Sequence, residues 1–232
     1  CGRPGRADDG GMSIDDIRRE IMADPDNAAA TRQGIPPLFT AGPKARVVLV
    51  GQAPGRRAQE SGLAWDDASG VKLKTWLGVT DEQFRDTDLF AILPMDFYYP
   101  GKGKTGDAPP RRGFAETWHP RLLELMPEVS LTILIGSYAQ KRYLGDRAAR
   151  NLTETVQGFA TYLPEYFPLV HPSPLNFRWQ ARNPWFETDV LPSLRDRVEE
   201  ALRQPALRTA RSPRGALRSD PDLVGGRDPA AT

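Results

Sequence analysis

The chain has 232 residues, one cysteine (Cys1), a formal net charge of +1 and 26% charged residues, which is room for one α/β domain with a sizeable core. A lone cysteine excludes a disulfide framework and a cysteine-ligated zinc or iron–sulfur centre within the chain, and the near-neutral balance leaves any nucleic-acid contact to local basic clusters. No apolar run reaches the roughly 18 residues of a membrane span, and the first eleven residues lack the apolar stretch of a signal peptide, so a soluble cytoplasmic protein with no membrane partner is expected.

Residues 1–11 (CGRPGRADDGG) read as a flexible segment. Met12 then opens a helix with Ser13 as its N-cap and Ile14, Ile17 and Ile21 on one face. Beyond it, short apolar runs alternate with helical patterns: strand over 46–50, helix near 69–78, strand over 89–93, helix near 114–126, strand over 130–135, helix over 137–144, strand over 166–170 and helix over 184–203. The alternation predicts one domain over 12–203, with a mainly parallel sheet between helices on both faces. Residues 204–232 are rich in Pro, Gly, Arg and Asp without apolar periodicity, the composition of a disordered tail. The segment Tyr98 to Arg112 (YYPGKGKTGDAPPRR) is too long for a bare connector, and such loops are usually functional or mobile.

Two strand-end turns stand out. Gly51-Gln52-Ala53-Pro54-Gly55 follows the apolar run Val47–Val50, and His171-Pro172-Ser173-Pro174-Leu175 follows another apolar stretch 120 residues later. In an open α/β sheet the ligand crevice lies outside the carboxyl ends of the strands, so the two turns can face one pocket. The first fits a structural strand-to-helix turn as well as a loop that lets backbone approach a ligand. Trp65, in Gly62-Leu63-Ala64-Trp65, either stacks on a planar ligand or belongs to the core. His171, beside Pro172, is poorly described as a core residue, and a neutral imidazole there can donate to developing negative charge. His119, inside a helical pattern, reads as structural. Ser173 and its backbone suit a phosphate, and Leu175 suits a wedge between bases.

Lys102, Lys104, Arg111 and Arg112, with Arg56 and Arg57, form the basic clusters, and Phe97, Tyr98 and Tyr99 adjoin the first. Basic residues interleaved with aromatics suit single-stranded or distorted DNA, although a solvated charged loop explains them too. Gly101-Lys102-Gly103-Lys104-Thr105 does not make a phosphate-binding P-loop: its required first glycine would fall on Tyr98, and Pro100 interrupts the strand–loop–helix context.

Together these residues resemble the uracil-DNA glycosylase superfamily over roughly 46–202. GQAPG is similar to the first motif of its iron–sulfur branch (GEAPG), with Gly62, Trp65 and Gly70 in register; GLAW resembles the GLAF of the uracil-specific branch, and HPSPL matches that branch's second motif at every position. The resemblance implies a three-layer α/β/α fold on a four-stranded parallel sheet. It implies a monomeric DNA-repair glycosylase of the bacterial cytoplasm and nucleoid that flips uracil from single- or double-stranded DNA and hydrolyses its N-glycosidic bond. His171 becomes the donor to the uracil oxygen, Trp65 and Gly51 contact the base, and Pro54, Gly55, Ser173, Pro174, Leu175, Lys102, Lys104 and Arg178 contact DNA.

The departures from the pattern are as informative. The cluster-binding cysteines are absent, so neither an iron–sulfur cluster nor another metal or cofactor is expected. Gln52 replaces a Glu and Ala53 an Asp, which leaves the Gln52 side chain or the Ala53 carbonyl to orient water, with Glu60, Asp66 and Asp67 as the nearest carboxylates. Leu93-Pro94-Met95 stands where an Asn reads the uracil edge, so that task passes to backbone groups or to a residue such as Asp96. Gly55 stands where one branch has a bulky block to the thymine methyl. The loop from Tyr98 to Arg112 lacks the histidine of a branch that becomes covalently trapped on DNA, so turnover is expected. A protein that binds uracil-containing DNA without chemistry is the alternative.

Overall fold

The computed structural model describes residues 11–104 and 106–203. The expected tail 204–232 and, save Gly11, the expected flexible segment 1–11 lie outside them. Chain order runs α1 (Ile14–Ala23), α2 (Ala28–Arg32), β1 (Val47–Val50), α3 (Arg56–Ser61), α4 (Ala68–Leu77), α5 (Asp81–Arg85), β2 (Phe90–Ile92), α6 (Phe114–Glu124), β3 (Leu131–Ile135), α7 (Ser137–Leu144), α8 (Leu152–Gln157), β4 (Tyr166–Leu169), α9 (Phe177–Arg182) and α10 (Leu191–Arg203). Ser13 caps α1 as expected: its hydroxyl accepts from Asp16 N while the Asp16 carboxylate accepts from the Ser13 N–H, a reciprocal capping box.

The four strands form one all-parallel sheet in the order β2-β1-β3-β4. β1 and β3 are buried along their whole length, as a sheet covered on both faces requires. Alternation then divides the core. Val47 and Leu49 join Ile133, Ile135, Phe167 and Leu169 under α4, α8 and α10; Val48, Val50 and Leu134 face α1, α6 and α7. This is the predicted three-layer α/β/α arrangement. Pro168 sits in β4, an edge strand, where a missing N–H is tolerated.

The predicted helix over 184–203 is shorter. Phe186–Val190 is a π-helical turn and regular helix begins at Leu191; Pro192 has no N–H to give Thr188, and a widened turn accommodates that loss. The short helices α2, α3, α5, α8 and α9 were not predicted, because five or six residues carry too few periods to register.

His119 is structural. It is 1% exposed; Nε2 lies 3.0 Å from the Pro94 carbonyl and Nδ1 2.7 Å from the Tyr143 hydroxyl, and Phe97 stacks on the ring. The carbonyl can only accept, so Nε2 carries the proton and Tyr143 donates to Nδ1. Burial holds its pKa down to about 4, against 6.5 for an unperturbed histidine. Below the unfolded value the unfolded chain takes up a proton that the folded chain refuses, so stability falls as pH drops from 6.5 towards 4. This component amounts to about 2 kcal/mol between roughly pH 7 and pH 5. Urea unfolding at the two pH values should show it in the wild type and not in His119→Gln; equal pH dependence in the two proteins would contradict the assignment.

Candidate active site

β1 feeds β2 on one side and has β3 on the other, so the strand order reverses at its carboxyl end. Open α/β sheets hold their ligands at such a point. A cleft of about 220 Å³ opens there, lined by Gln52 after β1, Ile135, Gly136, Ser137 and Tyr138 at the end of β3, His171 and Asn176 after β4, and Leu152 of α8. The two turns singled out in the sequence do face one cleft, with the end of β3 between them. Gly136-Ser137-Tyr138 was missed: a glycine after an apolar run was its only signal, with no distinctive chemistry attached.

The turn after β4 is closed by its own hydrogen bonds. Ser173 N–H donates to His171 Nδ1 at 3.1 Å, Leu175 N–H donates to Ser173 Oγ at 3.2 Å, and Asn176 Nδ2 donates to the His171 carbonyl at 2.8 Å. Because Nδ1 accepts, the proton of the neutral ring is assigned to Nε2 from the bonding pattern. Burial pushes the His171 pKa down, with Asp67 opposing it. The site therefore presents a neutral imidazole whose free nitrogen is a donor.

The turn after β1 continues the sheet: Met95 N–H donates to the Gly51 carbonyl at 2.8 Å and Asp96 N–H to the Gln52 carbonyl at 3.2 Å. Gln52 Nε2 donates to the Ala108 carbonyl at 3.0 Å, which leaves Oε1 as the end of the amide with acceptor capacity. Ala53 and Gly55 are half-buried and Pro54 is buried, and Gly55 is the N-cap of α3. Two of the three nearby carboxylates have structural partners. Asp67 caps α4 by accepting from Gly70 N at 2.9 Å, Asp66 lies 4.0 Å from Arg57, and Glu60 is exposed on α3.

Trp65 is half-buried, its ring 5.5 Å from that of His171 and tilted by 34°. Its φ of 58° is the sole positive value at a non-glycine among the described residues, a conformation costing about 1–2 kcal/mol. Two glycines make room for it. A Cβ on Gly70 would fall 1.8 Å from the Trp65 carbonyl oxygen, and one on Gly51 3.2 Å from its indole.

Asp96, expected as a possible reader of the uracil edge, is placed otherwise. It is 1% exposed, and Arg111 grips both carboxylate oxygens, Nε to Oδ2 at 2.7 Å and Nη2 to Oδ1 at 2.8 Å. With Tyr98 N–H also donating to Oδ1, the carboxylate is taken up in holding the loop. That loop folds back on itself through a Lys102–Asp107 bridge and a 3.1 Å ion pair; Lys102, Lys104 and Arg178 are exposed. Leu175 is 84% exposed, and Phe177, which the sequence reading passed over, is 60% exposed two residues on. Ser173 is half-buried and Pro174 exposed on the same turn.

A profile of the Uracil DNA glycosylase superfamily matches residues 39–195, a span that holds all four strands and every side chain of the cleft. The chain belongs to that superfamily. Membership makes DNA the partner and glycosidic-bond hydrolysis in DNA repair the class of activity. The sequence given holds one cysteine, Cys1, and among the described residues no three His, Cys, Asp or Glu side chains gather as a metal site.

The close approach behind Trp65 is testable. Gly70→Ala should cost about 1–3 kcal/mol of stability by overpacking and shift the tryptophan fluorescence. Gly55→Ala, where a Cβ would meet nothing within 4 Å, should remain within about 0.5 kcal/mol of wild type. Denaturant unfolding compares them, and equal stabilities would contradict the packing account.

Proposed function

We propose that the protein is a monofunctional uracil-DNA glycosylase that works as a monomer without metal or cofactor. The observation that carries this reading is the Ser173 N–H bond to His171 Nδ1, which assigns the ring proton to Nε2 on a residue that lines the cleft and whose ring lies 5.5 Å from that of Trp65. A flipped uracil lies against Trp65 and Gly51. As the C1′–N1 bond breaks, its electron pair passes to the ring and charge accumulates on the uracil oxygen, which Nε2–H of His171 stabilises. One such donor is worth roughly 3–4 kcal/mol. The water oxygen bonds to C1′, and its surplus proton leaves to solvent as the abasic sugar forms.

Gln52 accepts from this water through Oε1. A neutral amide orients water without acting as a strong base, so catalysis leans on leaving-group stabilisation and on the DNA phosphates near the oxocarbenium-like sugar. Uracil is read by backbone groups of the turns, since the Asp96 carboxylate is committed to Arg111. Ser173, Pro174, Pro54 and Gly55 approach the phosphates, Lys102, Lys104 and Arg178 supply positive charge, and Leu175 enters the base stack. Flipping costs a few kcal/mol, least for a mispaired or single-stranded base.

Purified protein should create alkali-labile abasic sites in a uracil oligonucleotide. His171→Ala should lower single-turnover rates by about 10² or more, and an unchanged rate would remove His171 from the mechanism. A gel-shift preference for uracil DNA with no base release would instead mark a binder without turnover.

The rate should also be flat from alkaline pH down to the ordinary histidine value and fall only at more acid pH. The lowered pKa keeps His171 neutral until then, and a proton on Nδ1 would confront Ser173 N–H and break the turn. A decline beginning above about pH 6.5 would contradict this assignment.

A further inference from the structure

The useful orientation of Gln52 depends on a carbonyl that belongs to another segment. Turned end for end, the amide would set Oε1 against the Ala108 oxygen, so Oε1 is offered to the cleft while that carbonyl stays 3.0 Å from Nε2. Ala108 lies in the fold-back, where its N–H donates to the Gly101 carbonyl at 2.9 Å. The tie to the sheet comes three residues later, at Arg111. Besides its two-pronged grip on Asp96, Arg111 donates from its backbone N to Asp96 Oδ2 at 3.2 Å and from Nη1 to Asn27 Oδ1 at 2.7 Å. Its guanidinium packs 4.5 Å from the Phe114 ring centre. Asp96 in turn donates its own N–H to the Gln52 carbonyl. One ion pair thus holds both the backbone that carries Gln52 and the segment whose carbonyl turns its amide.

We infer that the Asp96–Arg111 pair is a positioning device for the Gln52 amide, keeping Oε1 directed at the water of the glycosylase reaction; this rests on the reading given above. The planar fork of arginine makes the grip, and a lysine of the same charge cannot reproduce two parallel bonds and a third to Asn27.

A double-mutant cycle tests the inference. In the wild-type background Arg111→Lys should lower kcat about tenfold or more while KM moves less than about threefold. In the Gln52→Ala background the same substitution should change kcat by less than about twofold, because the group it acts through is gone. Equal losses in the two backgrounds, or no loss in the first, would overturn the inference. Asp96→Asn, which keeps the side-chain size, should reproduce the pattern of Arg111→Lys.

A second readout needs no activity. By NMR, the Gln52 side-chain amide protons should exchange slowly with solvent in the wild type and faster in Arg111→Lys and Asp96→Asn; unchanged exchange would overturn the inference. If the wild type releases no base from any deaminated oligonucleotide, the glycosylase reading fails, while the exchange measurement still decides whether the pair orients Gln52.

Discussion

The order β2-β1-β3-β4 governs where chemistry is possible in this molecule. With all strands parallel, every loop that leaves a carboxyl end rises on the same side, and at β1 the neighbouring connections diverge. The gap between them cannot be closed by regular structure, because both faces of the sheet already need their helices to bury Val47–Val50 and Leu131–Ile135. Each side chain of the cleft inherits its position from this arrangement. Gln52 comes from the end of β1, Tyr138 from the end of β3 and His171 from the end of β4, and the rigid strands beneath give loop residues the accuracy that loops alone lack.

Within the cleft the polar groups are set by backbone partners. The Ser173 amide fixes the His171 tautomer and the Ala108 carbonyl fixes the Gln52 amide. Backbone dipoles do not titrate, so neither partner's role changes with pH while His171 stays neutral. The charged pair Asp96–Arg111 sits one layer behind. Removing charge from water is costly even when the geometry is good, and here the carboxylate accepts bonds from Tyr98 N–H, Arg111 N–H and the guanidinium together. Such full satisfaction lets a carboxylate remain buried behind the turn that follows β1.

The elements legible in the sequence were those whose signals are local. Apolar runs of four to five residues gave all four strands within a residue or two, and GQAPG and HPSPL put named chemistry at two strand ends. What escaped depends on partners distant along the chain. Asp96 looked free to read a base because its partner Arg111 stands fifteen residues away across a folded loop; no periodicity announces such a pair. Tyr138 and Phe177 carry no motif, and their place beside the cleft and beside the Leu175 turn follows from topology alone. The helix over 184–203 was read as one element because its apolar spacing continues through Phe186–Val190, where Pro192 forces a wider turn.

The turn after β4 leaves two large apolar side chains in solvent. Burying a leucine or phenylalanine side chain is worth roughly 1.5–3 kcal/mol, yet Leu175 and Phe177 are left 84% and 60% exposed. The Ser173 and Asn176 hydrogen bonds close the backbone turn that carries both side chains. Arg178 lies over the Phe177 ring, its guanidinium 5.6 Å from the centroid, and keeps positive charge at the same point of the surface. In the proposed reaction, base flipping opens an apolar gap in the stack at a cost of a few kcal/mol, similar in size to the burial that these side chains forgo. The free protein thus carries the unfavourable exposure in advance. Under that proposal, filling the gap with Leu175 would relieve both at once, from the same turn that carries His171.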